Sequence, residues 1–334
     1  MIYGIIEYRL EENVLLYPLK LIPPLKDYLW GGTKLKEKYR KETDLPTVAE
    51  SWELACREDG RSTIENGPAA GMDLARYIAT EGDRVTGTHS ARFLYFPILI
   101  KLIDTAQDLS VQVHPSSNDR HLVDGEYGKN ELWYVVDAEP GATLIHGVNR
   151  NVTKVEVRQR IEDGTILEIC NRIPAIPGDV FMLEAGTIHS VGAGVTLAEI
   201  QQNANTTYRL YDFDRLGRDG KPRELQIDRA LDVMRMTPSP RFAPPPPQAF
   251  YAEYNVRLLS SCEYFTVYHV ALDGRMHLFA GRDSFHSIVL LDGILELEYP
   301  SGRDVIEKGD SIFVPADSGP YWLRGHGQFL LTMV

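Results

Sequence analysis

The feature that most constrains this chain is a pattern used twice. Residues 177–194, PGDVFMLEAGTIHSVGAG, and residues 308–325, KGDSIFVPADSGPYWLRG, each run from a Gly-Asp turn into an apolar strand, a tight turn and a second strand. With Gly178-Asp179 set against Gly309-Asp310, the upstream runs LWYVVDAEPGA and SIVLLDGILEL fall into parallel, Asp137 opposite Asp292. Such a repeated unit predicts two small antiparallel barrels of jelly-roll type. The copies differ at one telling place. His189 lies eleven residues beyond Gly178, whereas the matching position beyond Gly309 is Pro320. A metal, if there is one, is therefore expected in the first barrel.

Short β-branched runs bounded by Gly and Pro recur along the chain, among them FPILIKLID, LSVQVHP, ELWYVVDA and TLAEIQQ, as expected of many short strands. Three stretches carry apolar residues at helical spacing instead: MDLARYIATEG, KVEVRQRIEDGTILEICNRI and RELQIDRALDVMRM. The proline-rich TPSPRFAPPPPQ, residues 237–248, reads as an extended linker, since polyproline cannot join a sheet interior. The expected organisation is an N-terminal extension or strand over 1–16, a metal-binding catalytic domain with helical insertions over 17–236, the linker, and a C-terminal barrel-like domain without a metal over 249–334.

A net charge of −12 argues against nucleic-acid binding, which needs clustered basic residues. It leaves room for a locally basic pocket taking an anionic small molecule. Cys56, Cys170 and Cys262 are scattered and odd in number, which fits a reduced cytoplasm. The opening residues have neither a signal-peptide run nor the ~20 apolar residues of a membrane span.

Gln112 and His114, two apart on a strand, share a face. Glu131 opens the next apolar strand, and His189 sits at a strand-to-turn junction. Two imidazoles, a carboxylate and an amide oxygen suit Zn²⁺, with Fe²⁺ or Mn²⁺ as alternatives, and an open position would make the site catalytic. His121 and His146 are read as structural or supporting. Lys101 interrupts the apolar PILIKLID, Lys129 stands two residues before Glu131, and Arg209 lies in NANTTYRLYDFDR. Basic groups so placed suit a phosphorylated substrate or a developing oxyanion, while pairing of Arg209 with Asp212 or Asp214 is the structural alternative.

Taken in order, YLWGG, ESWELA, LIKLIDTAQDLSVQVHP, GKNELWYV, PGDVFMLEAGTIHSVGAG and EIQQNANTTYRLYDFDR resemble the type I mannose-6-phosphate isomerases, in their short bacterial form, from about Tyr17 to the end. The resemblance implies a mainly β fold of two cupin barrels with a few added helices. It implies one Zn²⁺ held by Gln112, His114, Glu131 and His189, a catalytic Arg209 and Lys129 in proton transfer. Lys101 and Ser110 fall in the motif that lines the substrate pocket, and Trp30, Glu50 and Trp52 are expected to frame it. The substrate implied is a sugar phosphate, mannose 6-phosphate, converted to fructose 6-phosphate through a cis-enediol(ate) by a cytoplasmic monomer or homodimer, without nucleic-acid or membrane partners. Lys129 and a metal-bound hydroxide compete for the role of base. Asn205 stands where relatives can carry an acid and cannot ionise. An iron-dependent oxygenase and a sugar-phosphate-binding regulator without turnover are the rival readings.

Overall fold

The computed structural model describes residues 16–122, 125–239 and 248–334. Most of the expected N-terminal extension and residues 240–247 of the expected linker lie outside the described residues. The fold is mainly β, built on three principal sheets. A six-stranded and a five-stranded sheet pack face to face through Trp30, Ile103, Trp133, Leu144, Phe181, Val191 and Leu197. The third sheet has nine strands, with its own core around Val270, Leu290, Leu297, Ile306, Tyr321 and Phe329.

The repeated unit of the sequence returns as repeated geometry. In the first copy, Gly178 donates to the Val135 carbonyl at 2.8 Å and Val135 donates to Asp179 at 2.9 Å. In the second, Gly309 donates to Leu290 at 2.8 Å and Leu290 donates to Asp310 at 3.0 Å. Both glycines hold positive φ, 91° and 93°, where a side chain would be strained. At Gly309 a Cβ would also come 2.1 Å from the Tyr39 carbonyl oxygen.

The strands themselves differ between copies. Three long strands, Thr266–Ala280, His286–Tyr299 and Gly319–Met333, dominate the nine-stranded sheet. Each bends at a glycine of positive φ (Gly274, Gly293, Gly325). The corresponding paths near the first repeat are cut in two: Ile98–Asp104 with Val111–Val113, Glu131–Ala138 with Thr143–Val148, and His189–Val191 with Val195–Gln202.

The two halves are joined through their sheets. Leu19–Ile22 pairs antiparallel with Ser311–Val314, Leu19 opposite Phe313, so the N-terminal segment completes the C-terminal sheet. One apolar cluster accordingly runs from Leu19, Leu35 and Leu54 through Ile100 and Leu132 to Phe285, Phe313 and Leu330. Beside it, Lys41 Nζ lies 2.8 Å from the buried Glu53 carboxylate and donates to the Gly309 carbonyl at 2.6 Å. Ser311 donates to the same carboxylate.

The helical expectations hold in shortened form. Leu74–Glu81 is a helix whose Asp73 side chain accepts from the Arg76 amide at 2.8 Å, an N-cap that satisfies an otherwise unpaired donor. The second stretch is α-helical only over Lys154–Glu162, with a single 3-10 turn over Ile166–Ile169. Gly164, at φ 68°, ends the α-helical run, and Cys170–Pro174 becomes a strand pairing with Thr143–Val148. The third is helical only over Ile227–Val233. Residues before it are not helical and are tied instead to the edge strand Tyr208–Tyr211. Gln226 donates to the Arg209 carbonyl at 2.9 Å and its side chain accepts from the Arg209 amide at 3.0 Å. Among the described residues no helix is long and apolar enough to cross a membrane.

Candidate active site

Ladder register assembles the site. Gln112 is opposite His189 on one neighbouring strand and opposite Arg209 on the other, and directly opposed residues share a face. Three side chains from three strands of the five-stranded sheet therefore point inward in one row. Glu131, first residue of its strand in the six-stranded sheet, reaches the same point from the other side, and His114 follows Gln112 on the same face.

His114 Nε2 lies 3.1 Å from His189 Nε2, and these nitrogens lie 3.6 and 3.4 Å from the two Glu131 oxygens. His114 Nδ1 is 2.9 Å from the Thr206 carbonyl and His189 Nδ1 is 2.8 Å from the Thr187 carbonyl. Since a carbonyl only accepts, each imidazole carries its proton on Nδ1 and turns an Nε2 lone pair toward the other. Glu131 is buried, with the Lys129 ammonium 3.0 Å from its Oε2 and no hydrogen-bond donor on its Oε1. Two lone pairs facing each other and a carboxylate with only one oxygen engaged is a costly arrangement in a dry interior. A cation among them removes the cost, and the carbonyl-bound Nδ1–H is the usual way to orient a ligating imidazole. The three donor atoms lie within 4.8 Å of one another, a group that can hold a metal ion. Gln112 completes the set with an amide that donates toward His189 Nε2 at 3.3 Å and accepts from Ser110 Oγ at 3.2 Å. Turning the amide over would present its oxygen to the same centre.

Burial governs the titration of this cluster. It pushes His114 well below the usual histidine range and His189 down to about 3, with the Lys129 charge adding to both. It also raises the Glu131 carboxyl, against the attraction of Lys129. Glu199 behaves oppositely. Burial would raise it, but Lys101 and Lys129, aided by a hydrogen bond from the Trp133 indole, hold it below the usual carboxylate range.

A cleft of about 310 Å³ opens beside the cluster. Lys101, Ser110, Gln112, Lys129 and Arg209 all line it, as do Trp30 and Glu50. Lys129 Nζ lies 3.0 Å from Glu131 and 3.7 Å from Glu199. Lys101 Nζ lies 3.1 Å from Glu199 and 3.5 Å from Glu50. Glu50 accepts from the Trp52 indole at 2.7 Å, and Glu199 accepts from the Trp133 indole at 2.9 Å. Arg209 Nε is buried without a partner, and Nη1 donates to the Glu224 carbonyl at 2.9 Å. Its pKa is lowered by burial first and then by the nearby Arg223.

Gln112, His114, Glu131, His189, Lys101, Ser110, Lys129 and Arg209 thus gather in or beside one cleft. His121 does not; it reaches Asp232 at 3.2 Å outside the cleft. His146 is opposite His189 in the ladder and 3.3 Å from the Met182 carbonyl. Sequence reasoning passed over Glu199, although a glutamate inside TLAEIQQ mirrors the lysine inside LIKLID and is its direct ladder partner. Arg57 was also passed over. It pairs with Glu126 at 2.6 Å and donates to the Asn203 carbonyl at 3.1 Å, while Asn205 binds Asp59 at 2.8 Å. These contacts hold the segment whose Thr206 carbonyl orients His114. No local pattern signals them.

Such a barrel, with two histidines and a carboxylate converging at the base of a basic cleft, defines a cupin-type enzyme site, and comparisons narrow the class. Residues 18–145 match the description "Phosphomannose isomerase type I, catalytic domain", and residues 255–334 match "Mannose-6-phosphate isomerase, cupin domain". The chain is 33% identical over 330 residues to the mannose-6-phosphate isomerase ManA of Bacillus subtilis, covering 94% of this chain and 98% of that protein. It is 32% identical over 298 residues to a mannose-6-phosphate isomerase of Streptococcus mutans, covering 89% and 92%. A crystal structure of the Bacillus subtilis mannose 6-phosphate isomerase superposes with a TM-score of 0.87 at 29% identity, covering 95% and 99%. The chain belongs to the type I mannose-6-phosphate isomerase family, an enzyme family of the isomerase class.

Proposed function

We propose that this protein interconverts mannose 6-phosphate and fructose 6-phosphate through a cis-enediol(ate), with one Zn²⁺ held by Gln112, His114, Glu131 and His189. The observation that carries the reading is the convergence of the two Nε2 lone pairs on each other and on the buried Glu131 carboxylate. A fold relative, 17% identical, is described as mannose 6-phosphate isomerase with zinc bound, and the two-nitrogen, carboxylate and amide donor set suits that ion.

When bound, the metal supplies Lewis-acid polarisation of the C1–C2 oxygens, worth several kcal/mol to the developing charge. The remaining work belongs to the chain. A proton leaves C2 and returns to C1 while another passes from the C2 oxygen to the C1 oxygen, so no atom is gained or lost. Lys129 is the carrier of the carbon-bound proton, because it lines the cleft next to Glu131. Arg209 fixes a positive charge in the row that holds Gln112 and His189, where an oxyanion develops. Lys101 and Ser110 contact the sugar, and Trp30 walls the cleft.

The test is a coupled isomerase assay on metal-stripped protein before and after Zn²⁺ is restored. Fructose 6-phosphate formed from mannose 6-phosphate only with the metal supports the reading. No turnover with Zn²⁺, Mn²⁺ or Fe²⁺ overturns it.

A further inference from the structure

The cleft is electrically divided. At its inner end Lys101 and Lys129 face Glu50, Glu131 and Glu199, all buried, leaving one negative charge in excess. That end attracts a cation. At the other end Arg209, Arg215 and Arg223 stand against two carboxylates, Asp212, which pairs with Arg215 and Arg223, and Glu224, leaving one positive charge in excess. A phosphate monoester near neutral pH carries close to two negative charges.

The three arginines are not equivalent. Arg215 is spent on structure: Nε and Nη2 hold Asp212, at 3.2 Å on its carbonyl and 2.6 Å on its carboxylate, and Nη1 donates to the Asp108 carbonyl at 2.6 Å. It does not line the cleft. Arg223 does. Its Nε donates to Asp212 Oδ2 at 2.7 Å and its Nη2 to Oδ1, while Nη1 has no hydrogen-bond partner among the described residues. Asp212 therefore grips one edge of the guanidinium and leaves the other directed at the cleft, beside Thr207 and Arg209. A guanidinium fixed in this way is a preorganised oxyanion receptor. Lys101 is a poorer candidate for that charge, since its ammonium is already held by Glu199 and Glu50.

We propose that Arg223 binds the phosphate of the substrate and sets the preference for phosphorylated over free sugars, an inference that rests on the isomerase reading above. Arg223 lies in the segment that sequence periodicity assigns to a helix. That part of the segment is not helical but lies against Arg209, which hydrogen-bonds the Glu224 carbonyl and Gln226.

Two variants, R223Q and R223K, test the proposal in the zinc-loaded enzyme. R223Q is expected to raise KM for mannose 6-phosphate at least tenfold while kcat stays within about threefold. Calorimetric binding of inorganic phosphate to the same protein, which needs no turnover, is expected to weaken by a similar factor. R223K, which keeps the charge but loses the forked grip on Asp212, is expected to recover much of both losses. Unchanged KM and phosphate affinity in R223Q overturn the proposal. So does a fall in kcat with KM intact, or a failure of R223K to recover anything although it melts like the parent. Failure of the isomerase reading is separately visible, as absence of turnover by the parent enzyme.

Discussion

The two barrels share a turn, a ladder and a hydrogen-bonding pattern, yet one carries a cluster of metal-type donors and the other a plain core. Strand register gives the equivalences. Glu131 is opposite Leu183 as His286 is opposite Val314, and Gln112 is opposite His189 as Phe279 is opposite Pro320. His114, two residues past Gln112, then corresponds to Gly281. Four donors in the first barrel thus become Phe279, Gly281, His286 and Pro320 in the second. Only His286 could bind a metal, and it is engaged with the Tyr321 hydroxyl at 2.7 Å. The edges differ as well. Val111–Val113 is covered by the strand bearing Arg209, whereas Thr266–Ala280 meets its outer neighbour only over Thr266–Leu272, leaving Phe279 62% exposed. A jelly-roll unit needs its turn glycines and apolar alternation to fold. It needs neither the donors nor the extra strand, so a copy can lose both and remain a packing partner.

The sharpest way to break this contrast is to remove a donor from the first barrel. His114→Ala should lose the bound metal and lower turnover by more than about a thousandfold, the scale of the Lewis-acid contribution, read by metal analysis beside the coupled assay. A variant that keeps both would mean the metal sits elsewhere.

Arg209→Ala should come next, with kcat down by about a hundred- to a thousandfold, as for loss of one oxyanion-stabilising group. Metal content should be unchanged. Parallel loss of metal would assign Arg209 to holding Gln112 rather than to chemistry.

The smallest effect belongs to the second barrel. Burial holds His286 down at about 4, below its unfolded value near 6.5. A depressed histidine contributes stability that is complete above the unfolded pKa and is lost as pH falls toward the folded one. His286→Gln keeps a partner for Tyr321 without the titration. Its stability relative to the parent should therefore improve between pH 6.5 and pH 5, by at most about 2 kcal/mol. Denaturant melts at the two pH values measure this, and turnover at neutral pH should stay within twofold. Equal pH dependence in parent and variant would show that His286 is not the acid-sensitive group.

Much of this was legible in the sequence, for identifiable reasons. The duplicated Gly-Asp unit was, because positive φ restricts the residue and the adjoining strands alternate with period two. Gln112 and His114 were legible as a pair because two residues on one strand must share a face. Glu199 was not. A buried carboxylate in an apolar run is intelligible only once Lys101 is seen across the ladder, 98 residues away. Arg223 was hidden by a helical periodicity, in a part of the segment that is tied instead to the edge strand.

The sequence by itself determined the mainly β class, the two related barrels, and the positions of residue types that can serve as metal ligands and cations. Those are local properties of alternation, turn chemistry and side-chain type. The tertiary structure decided which of these residues meet. It turned both imidazoles by carbonyl bonds to Nδ1, joined Leu19–Ile22 to the far sheet, and separated a cation-seeking end of the cleft from an anion-seeking one. Pairing between distant strands follows from burying one shared core, and no stretch of residues carries that information alone.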